Sequence, residues 1–469
     1  MASSAHALAE ATPASRDKYV DLLRVASLGT VVLGHWLMAA VSVRGDGRAE
    51  VGNLLAVEPR LQLLTWALQV MPVFFFVGGF SHALSYRSLR RKAGENRENR
   101  ENRENRENGE DGEDGGAALY SVFLRARLQR LLRPTVVFIG VWGALALALQ
   151  LAGKEGGLLD VSLRLVAQPL WFIGIYLAMV AFTPPLLRLH ERYGWGAFGG
   201  LAAAAGLVDV LRFGFGVPYV EFLNFAFVWL AVHQLGFLRA DGKLRRPYLL
   251  AGAGLAGAVL LVAYGPYPLS MVGMPGEKIS NMAPPTFALL CHGLWLVGGV
   301  ESLRGPARRW LRRPRVWRAV VAANGVSMTA FLWHLTAMLG VYGALLALGV
   351  RLPEPATGVW WAQVPVRVVV AGGVTALLVT VFRRFEQPSA VVLGESGVSP
   401  AGARPAAALG VTLCLFGVLG LSMVGFGGLL EGRTAVLVAV RVTAPVAVAM
   451  TLAGWLLVER AGRGRPVAA

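Results

Sequence analysis

The sequence predicts an all-α, polytopic integral membrane protein with about twelve transmembrane helices and both termini cytoplasmic, on three observations. Hydrophobic residues make up 55% of the 469 and charged residues only 16%. The apolar residues gather in blocks of roughly 18 to 25, the length a helix needs to cross a hydrocarbon core. The basic residues fall in alternate connecting loops, as the positive-inside rule requires. A net charge of +17 therefore reads as membrane topology, with arginines facing lipid headgroups, and not as nucleic-acid binding.

The apolar blocks place helices near 19–41, 62–85, 134–152, 169–187, 196–212, 221–238, 247–264, 285–303, 320–349, 361–382, 406–429 and 434–458. The fifth is short and rich in Gly and Ala. Residues 1–18 form a cytoplasmic tail with no basic region ahead of an apolar core, so the first block is expected to stay in the membrane. Arginines and lysines follow the second block (Arg87 to Arg133), the sixth (Arg239 to Arg246) and the eighth (Arg304 to Arg318). The alternate loops at 153–168, 213–220, 265–284 and 351–360 hold few. This phase implies an even number of spans.

Between the second and third spans the chain reads ENRENRENRENREN, then GEDGEDGG. Its charges nearly cancel and it has no apolar face, so 93–117 is expected to be a disordered cytoplasmic insertion. Residues 386–469 are expected to form two additional spans and a short tail beyond a core at 19–385. Cys291 and Cys414 lie in separate apolar blocks, without metal-ligand spacing or a disulfide framework.

Polar residues inside the spans carry the chemical information. In the first, Arg24 and His35 stand eleven residues apart, which at 100° per residue returns to within about 20° of one face after about 16 Å of rise. Asp21 lies about 21 Å from His35 along the axis, so its nearer partner is Arg24, three residues on. The pattern describes a charged station at the cytoplasmic surface and an imidazole well inside. Intramembrane ionisable groups usually face a bundle interior or a wet cavity. The bland alternative is a histidine bonding between helices and an arginine snorkelling to the interface. His82, His233, His292 and His334 fall in or at the ends of separate helices, and no pair has the i, i+4 spacing of a zinc site; no metal is expected.

The run RDKYVDLLRVASLGTVVLGHWL resembles the opening helix of the acyltransferase 3 family of membrane-bound acyltransferases, with Arg24 and His35 matching its arginine, ten residues, histidine signature. PVFFFVGGFSHALSYR resembles that family's second-helix box, although Gly78 stands where a serine is common. FLRARLQRLLRP is similar to its paired-arginine motif, with Arg127 and Arg130 the best match and Arg130 and Arg133 in the same spacing. PLWFIGIYL and GVSMTAFLWHL resemble the Trp-led helix and the late helix in which a serine precedes a histidine. The likeness runs in order over about residues 16–385. The last two spans lie beyond the family's usual ten-helix core, and no hydrolase-like domain is appended.

The resemblance implies transfer of an acyl group, acetyl in the first instance, from a coenzyme A thioester to a hydroxyl, with acyl-CoA as a substrate and no tightly bound cofactor. His35 is then the candidate base, because imidazole titrates near neutrality. Arg24, Arg127 and Arg130 are candidates for the phosphate end of the donor. Trp171, Tyr176, Ser327 and His334 are the possible stabilisers of the oxyanion, each with a packing alternative. Gly78 and Gly79 suit close helix approach. The expected partners are the bilayer of a bacterial plasma membrane and a hydroxyl-bearing glycan, lipid or small molecule, the loop at 265–285 shaping its entrance. The competing classes are a twelve-helix transporter, against which stands the lack of a two-fold repeat, and an inactive scaffold or sensor. The oligomeric state is open.

Overall fold

A computed structural model describes residues 16–43, 49–104, 115–154, 157–274, 277–386, 403–430, 432–437 and 440–461. Twelve long apolar helices organise them: α1 Lys18–Met38, α2 Met71–Glu104, α3 Gly115–Leu151, α4 Leu170–Tyr193, α5 Trp195–Phe213, α6 Asn224–Ala240, α7 Pro247–Tyr264, α8 Phe287–Ser302, α9 Ser327–Ala347, α10 Gly358–Phe382, α11 Ala403–Val424 and α12 Ala444–Ala461. Eleven segments are long and apolar enough to cross a bilayer, and α8 is an apolar helix of 16 residues. The chain is a polytopic helical membrane protein.

The core forms where the phenylalanine box of α2 meets three other helices. Phe75 lies 4.8 Å from Trp229 of α6, Phe74 lies 4.8 Å from Phe172 of α4, and Phe172 lies 4.9 Å from Phe331 of α9. All five side chains are buried. Ring pairs at these separations add to the burial of large apolar surfaces. Around this centre α1 packs against α2, α9 and α10, while α11 and α12 pack on each other, α11 also on α4.

One glycine contact fixes the depth of α2 against α6. A Cβ on Gly79 would stand 2.0 Å from the carbonyl oxygen of His233, and one on Gly236 would stand 2.3 Å from that of Phe76. The two backbones therefore touch, as small residues permit in membranes. Gly78 has ordinary room, its nearest neighbour being Tyr176 at 3.5 Å.

The arginine-rich ends of several helices gather on one face. Asp17 caps α1 by accepting from the amide of Tyr19 and pairs with Arg239, Arg304 and Arg308. Arg239 also pairs with Glu301 at 2.7 Å. Asp241 joins Arg87, Lys243 and His190. The opposite face carries the hairpins Ala39–Val43 with Ala49–Asn53 and Thr434–Leu437 with Val440–Thr443. There the chain after α7 is tied to the chain before α2: Met271 N donates to Thr65 Oγ1, and Trp66 Nε1 donates to the carbonyl of Leu269.

The differences from the sequence reading have local causes. The first block stops being helical at Met38, where the hairpin takes over. The block at 434–458 likewise begins as a hairpin, since the run TAVLVAVRVT is dense in β-branched residues and suits strands better than a helix start. The block at 320–349 is two helices, Pro314–Asn324 and α9, broken at Gly325. Within 93–117, α2 continues as helix to Glu104 and α3 starts at Gly115. A helix that is already nucleated adds one hydrogen bond per residue fixed, and Glu and Arg are good helix formers, so the span carries its order outward. Arg91 and Glu95, at i and i+4, support that extension. The rest of the insertion, 105–114, lies outside the described residues.

Candidate active site

Two polar groups stand inside the helical bundle, one near each end of α1. The first is a pair of imidazoles. His35 Nδ1 lies 2.7 Å from His334 Nε2, and the rings lie edge to edge, their planes within 8° of parallel and their centroids 5.0 Å apart. His334 is fully buried and His35 partly exposed. The other ring nitrogen of His334, Nδ1, meets the backbone carbonyl of Phe331. Trp36 Nε1 donates to the carbonyl of His334 at 3.0 Å, tying α1 to α9 at the same level.

These contacts assign the protons. A carbonyl only accepts, so His334 Nδ1 carries hydrogen and donates to Phe331. Neutral His334 then offers a lone pair at Nε2, and His35 must donate to it from Nδ1. The remaining nitrogen of neutral His35, Nε2, keeps its lone pair, and among the described residues no donor is bonded to it. The chain of three groups thus holds one imidazole in the tautomer that can take a proton.

The second group lies toward the arginine-rich end and is built on α2. Arg24 donates from Nη2 to Ser81 Oγ at 3.0 Å and pairs through Nη1 with Asp21 at 3.3 Å. Asp21, buried, also holds Arg16 at 2.6 Å. Arg127 of α3 donates to Ser85 Oγ and to the carbonyl of Ser81, both at 3.1 Å. Arg127 lies within electrostatic reach of both Arg24 and Arg130. Two guanidinium groups, those of Arg24 and Arg127, therefore bond one stretch of α2, with Asp21 beside Arg24, while Arg130 is exposed and lies within electrostatic reach of Arg127 and of Glu386. Such a concentration of planar donors suits phosphate oxygens.

Behind the second group, His82 Nε2 meets Tyr176 Oη at 2.9 Å, and His82 Nδ1 meets His233 Nε2 at 3.0 Å. Tyr176 thus belongs to the arginine station. Ser327 begins α9 and donates to the carbonyl of Asn324, about 10 Å of helical rise before His334. Trp171 is half-buried with its ring edge-on to Phe172, and among the described residues no hydrogen bond ties it to either group. The structure therefore brings His35 with His334, and Arg24 with Arg127 and, through His82, Tyr176, with Arg130 exposed nearby.

Sequence reasoning missed Ser81, Ser85 and the His82–His233 pair. Ser81 and Ser85 had a legible signal, since i and i+4 hydroxyls share one helix face. The histidines had none, because a long-range crossing brings them together.

A family model for an acyltransferase domain matches residues 17–383. The chain belongs to the acyltransferase 3 family. The match begins at the cap of α1, takes in both polar groups and ends at the close of α10, leaving α11 and α12 beyond it. Among curated proteins and among solved structures, nothing matches the chain. As a member of the acyltransferase 3 family, the protein is a multi-pass membrane acyltransferase.

Proposed function

We propose that this acyltransferase moves an acyl group, acetyl in the simplest case, from acyl-CoA to a hydroxyl of a glycan, lipid or small-molecule acceptor in a bacterial plasma membrane. The observation that carries the reading is the lone pair of His35 Nε2, held in place by the bond from Nδ1 to His334. Arg24, Arg127 and Arg130 bind the phosphates of the donor from the arginine-rich, cytoplasmic side. The uncharged pantetheine arm runs along α1 over the roughly 16 Å that separate Arg24 from His35.

At the far end His35 Nε2 removes the proton of the acceptor hydroxyl as its oxygen bonds to the thioester carbon. The carbonyl electrons move to oxygen, giving a tetrahedral oxyanion. Imidazolium forms beside the lone pair of His334 Nε2, which turns their hydrogen bond into a charge-assisted one. Collapse of the intermediate breaks the carbon–sulfur bond, and the leaving thiolate takes the proton back from His35. The acceptor leaves as an ester and the donor as free coenzyme A. His334 is a positioning residue in this scheme: it touches His35 and none of the reacting atoms.

The test is product formation by purified protein in lipid nanodiscs, with acetyl-CoA and a panel of glycan and lipid acceptors. The expected result is an acceptor that gains the mass of one acyl group while an equal amount of coenzyme A is released. Transport of an acceptor with no coenzyme A released would contradict it.

A further inference from the structure

A buried carboxylate on the last helix meets the arginine-bearing helix α3. Glu459 stands two residues from the end of α12 and is 5% exposed. Its carboxylate lies 3.6 Å from Arg125 Nε and 4.0 Å from Arg133 Nε, and it accepts from Gln129 Nε2 at 3.1 Å. A negative charge so placed is disfavoured twice, by burial and by the partial negative charge that a helix carries at its C-terminus. The arginines of α3 offset that cost.

The face they occupy is opposite the one used at the donor station. At about 100° per residue, Arg125, Gln129 and Arg133 span an arc of about 80°, and Arg127 points about 160° from the middle of it. The three cover about 12 Å of rise, and Arg127 falls within that length. Glu459 thus grips α3 from behind Arg127, whose own contacts are Ser85 Oγ and the carbonyl of Ser81 on α2. A turn of α3 by one residue would break both sets of contacts together. Arg133, which the spacing of the paired-arginine motif also admits, is held on the Glu459 side of the helix.

The helix that carries Glu459 has little freedom of its own. A Cβ on Gly454 of α12 would stand 2.5 Å from the carbonyl oxygen of Gly410 of α11, and one on Gly174 of α4 would stand 2.6 Å from the Leu419 side chain of α11. Backbone contact therefore locks α12 to α11, and α11 is seated on the core. Setting register is the best-attested use of buried ionic contacts.

We infer that Glu459 is a positioning residue for the donor site: by holding Arg125, Gln129 and Arg133 it fixes the rotation of α3 that turns Arg127 toward α2 and the phosphates of acyl-CoA. The C-terminal helix pair is then part of the donor site, although it lies beyond the family match at 17–383. The inference rests on the reading of Arg127 as a donor-binding residue.

The experiment titrates coenzyme A into the full chain in nanodiscs by calorimetry, for wild type, Glu459→Gln, Glu459→Asp, Arg127→Ala and the Arg127→Ala, Glu459→Gln double variant, with a melting temperature for each. Glu459→Gln is expected to weaken binding about tenfold, the size of one charge-assisted contact, and Glu459→Asp, which restores the charge, to recover to within about threefold of wild type. In the Arg127→Ala background Glu459→Gln costs less than about twofold more, because the effect passes through Arg127. In steady state the KM for acetyl-CoA rises with the dissociation constant while kcat stays within about threefold. Wild-type affinity in folded Glu459→Gln, an equal loss in both backgrounds, or a fall in kcat at unchanged KM overturns the inference. Should Glu459→Gln not purify as a folded protein, Gln129→Leu removes the shortest contact without stranding a charge and is expected to weaken binding about threefold, again only when Arg127 is present; unchanged affinity there overturns the inference equally. Failure of folded wild type to bind coenzyme A removes the donor reading itself, and the inference with it.

Discussion

Replacing His334 with Ala tests the imidazole pair, since this side chain would touch only the base. In the resting state the substitution deprives the His35 Nδ1 hydrogen of its acceptor, 2.7 Å away, and frees the ring to change tautomer and orientation. In the transition state it removes the lone pair beside a developing imidazolium. A hydrogen bond to a charged group contributes about 1.5–3 kcal/mol, which corresponds to a fall in kcat of roughly 10- to 150-fold. Loss of the base itself, in His35→Ala, costs more, on the order of 10²–10⁴-fold. Gln at 334 restores an acceptor oxygen and is expected to recover activity to within about tenfold of wild type, because one neutral hydrogen bond replaces another. The assay is steady-state coenzyme A release in nanodiscs at saturating donor, with monodispersity checked for each variant. A His334→Ala protein that is folded and within twofold of wild-type kcat would refute the reasoning and leave His334 as packing.

Other outcomes follow from the rest of the structure. Arg127→Ala removes the donor bonded to Ser85 and Ser81, and is expected to raise the KM for acyl-CoA by roughly 10- to 150-fold with a smaller change in kcat; initial rates against donor concentration check it. Gly79→Ala drives a methyl into the carbonyl of His233 and is expected to exceed the cost of ordinary overpacking, about 1–3 kcal/mol, whereas Gly78→Ala has room and leaves detergent-solubilised yield and melting temperature close to wild type. At Asp241 burial alone would push the carboxyl up, but the hydrogen bonds from Arg87 and His190, the Arg87 charge and Lys243 outweigh it and hold it at about 2. Its contribution to stability is therefore full above the ordinary carboxylate range near 4 and is lost as pH falls toward 2. Asp241→Asn is expected to lower the melting temperature at pH 6 and to narrow its gap to wild type as pH falls through that window.

The spans, the arginine-rich face and the stripe of Arg24 and His35 were legible because each depends on residues close in sequence. Hydropathy windows and helical periodicity report such patterns directly. What was missing depends on tertiary contact. His334 stands 299 residues from His35, and no local pattern says that α9 delivers it there. The His82–His233 pair needs the backbone contact of Gly79 with Gly236, which appears in sequence only as small residues. The hairpin at 39–53 was hidden inside an apolar block that satisfied a helix as well as a strand.

The most direct measurement is acceptor-dependent release of coenzyme A by the wild-type protein and by His35→Ala, each in nanodiscs and each shown to be folded. The account predicts release that requires the acceptor and falls on the order of 10²–10⁴-fold in the variant. Undiminished release from folded His35→Ala would contradict the claim that this imidazole takes the acceptor's proton.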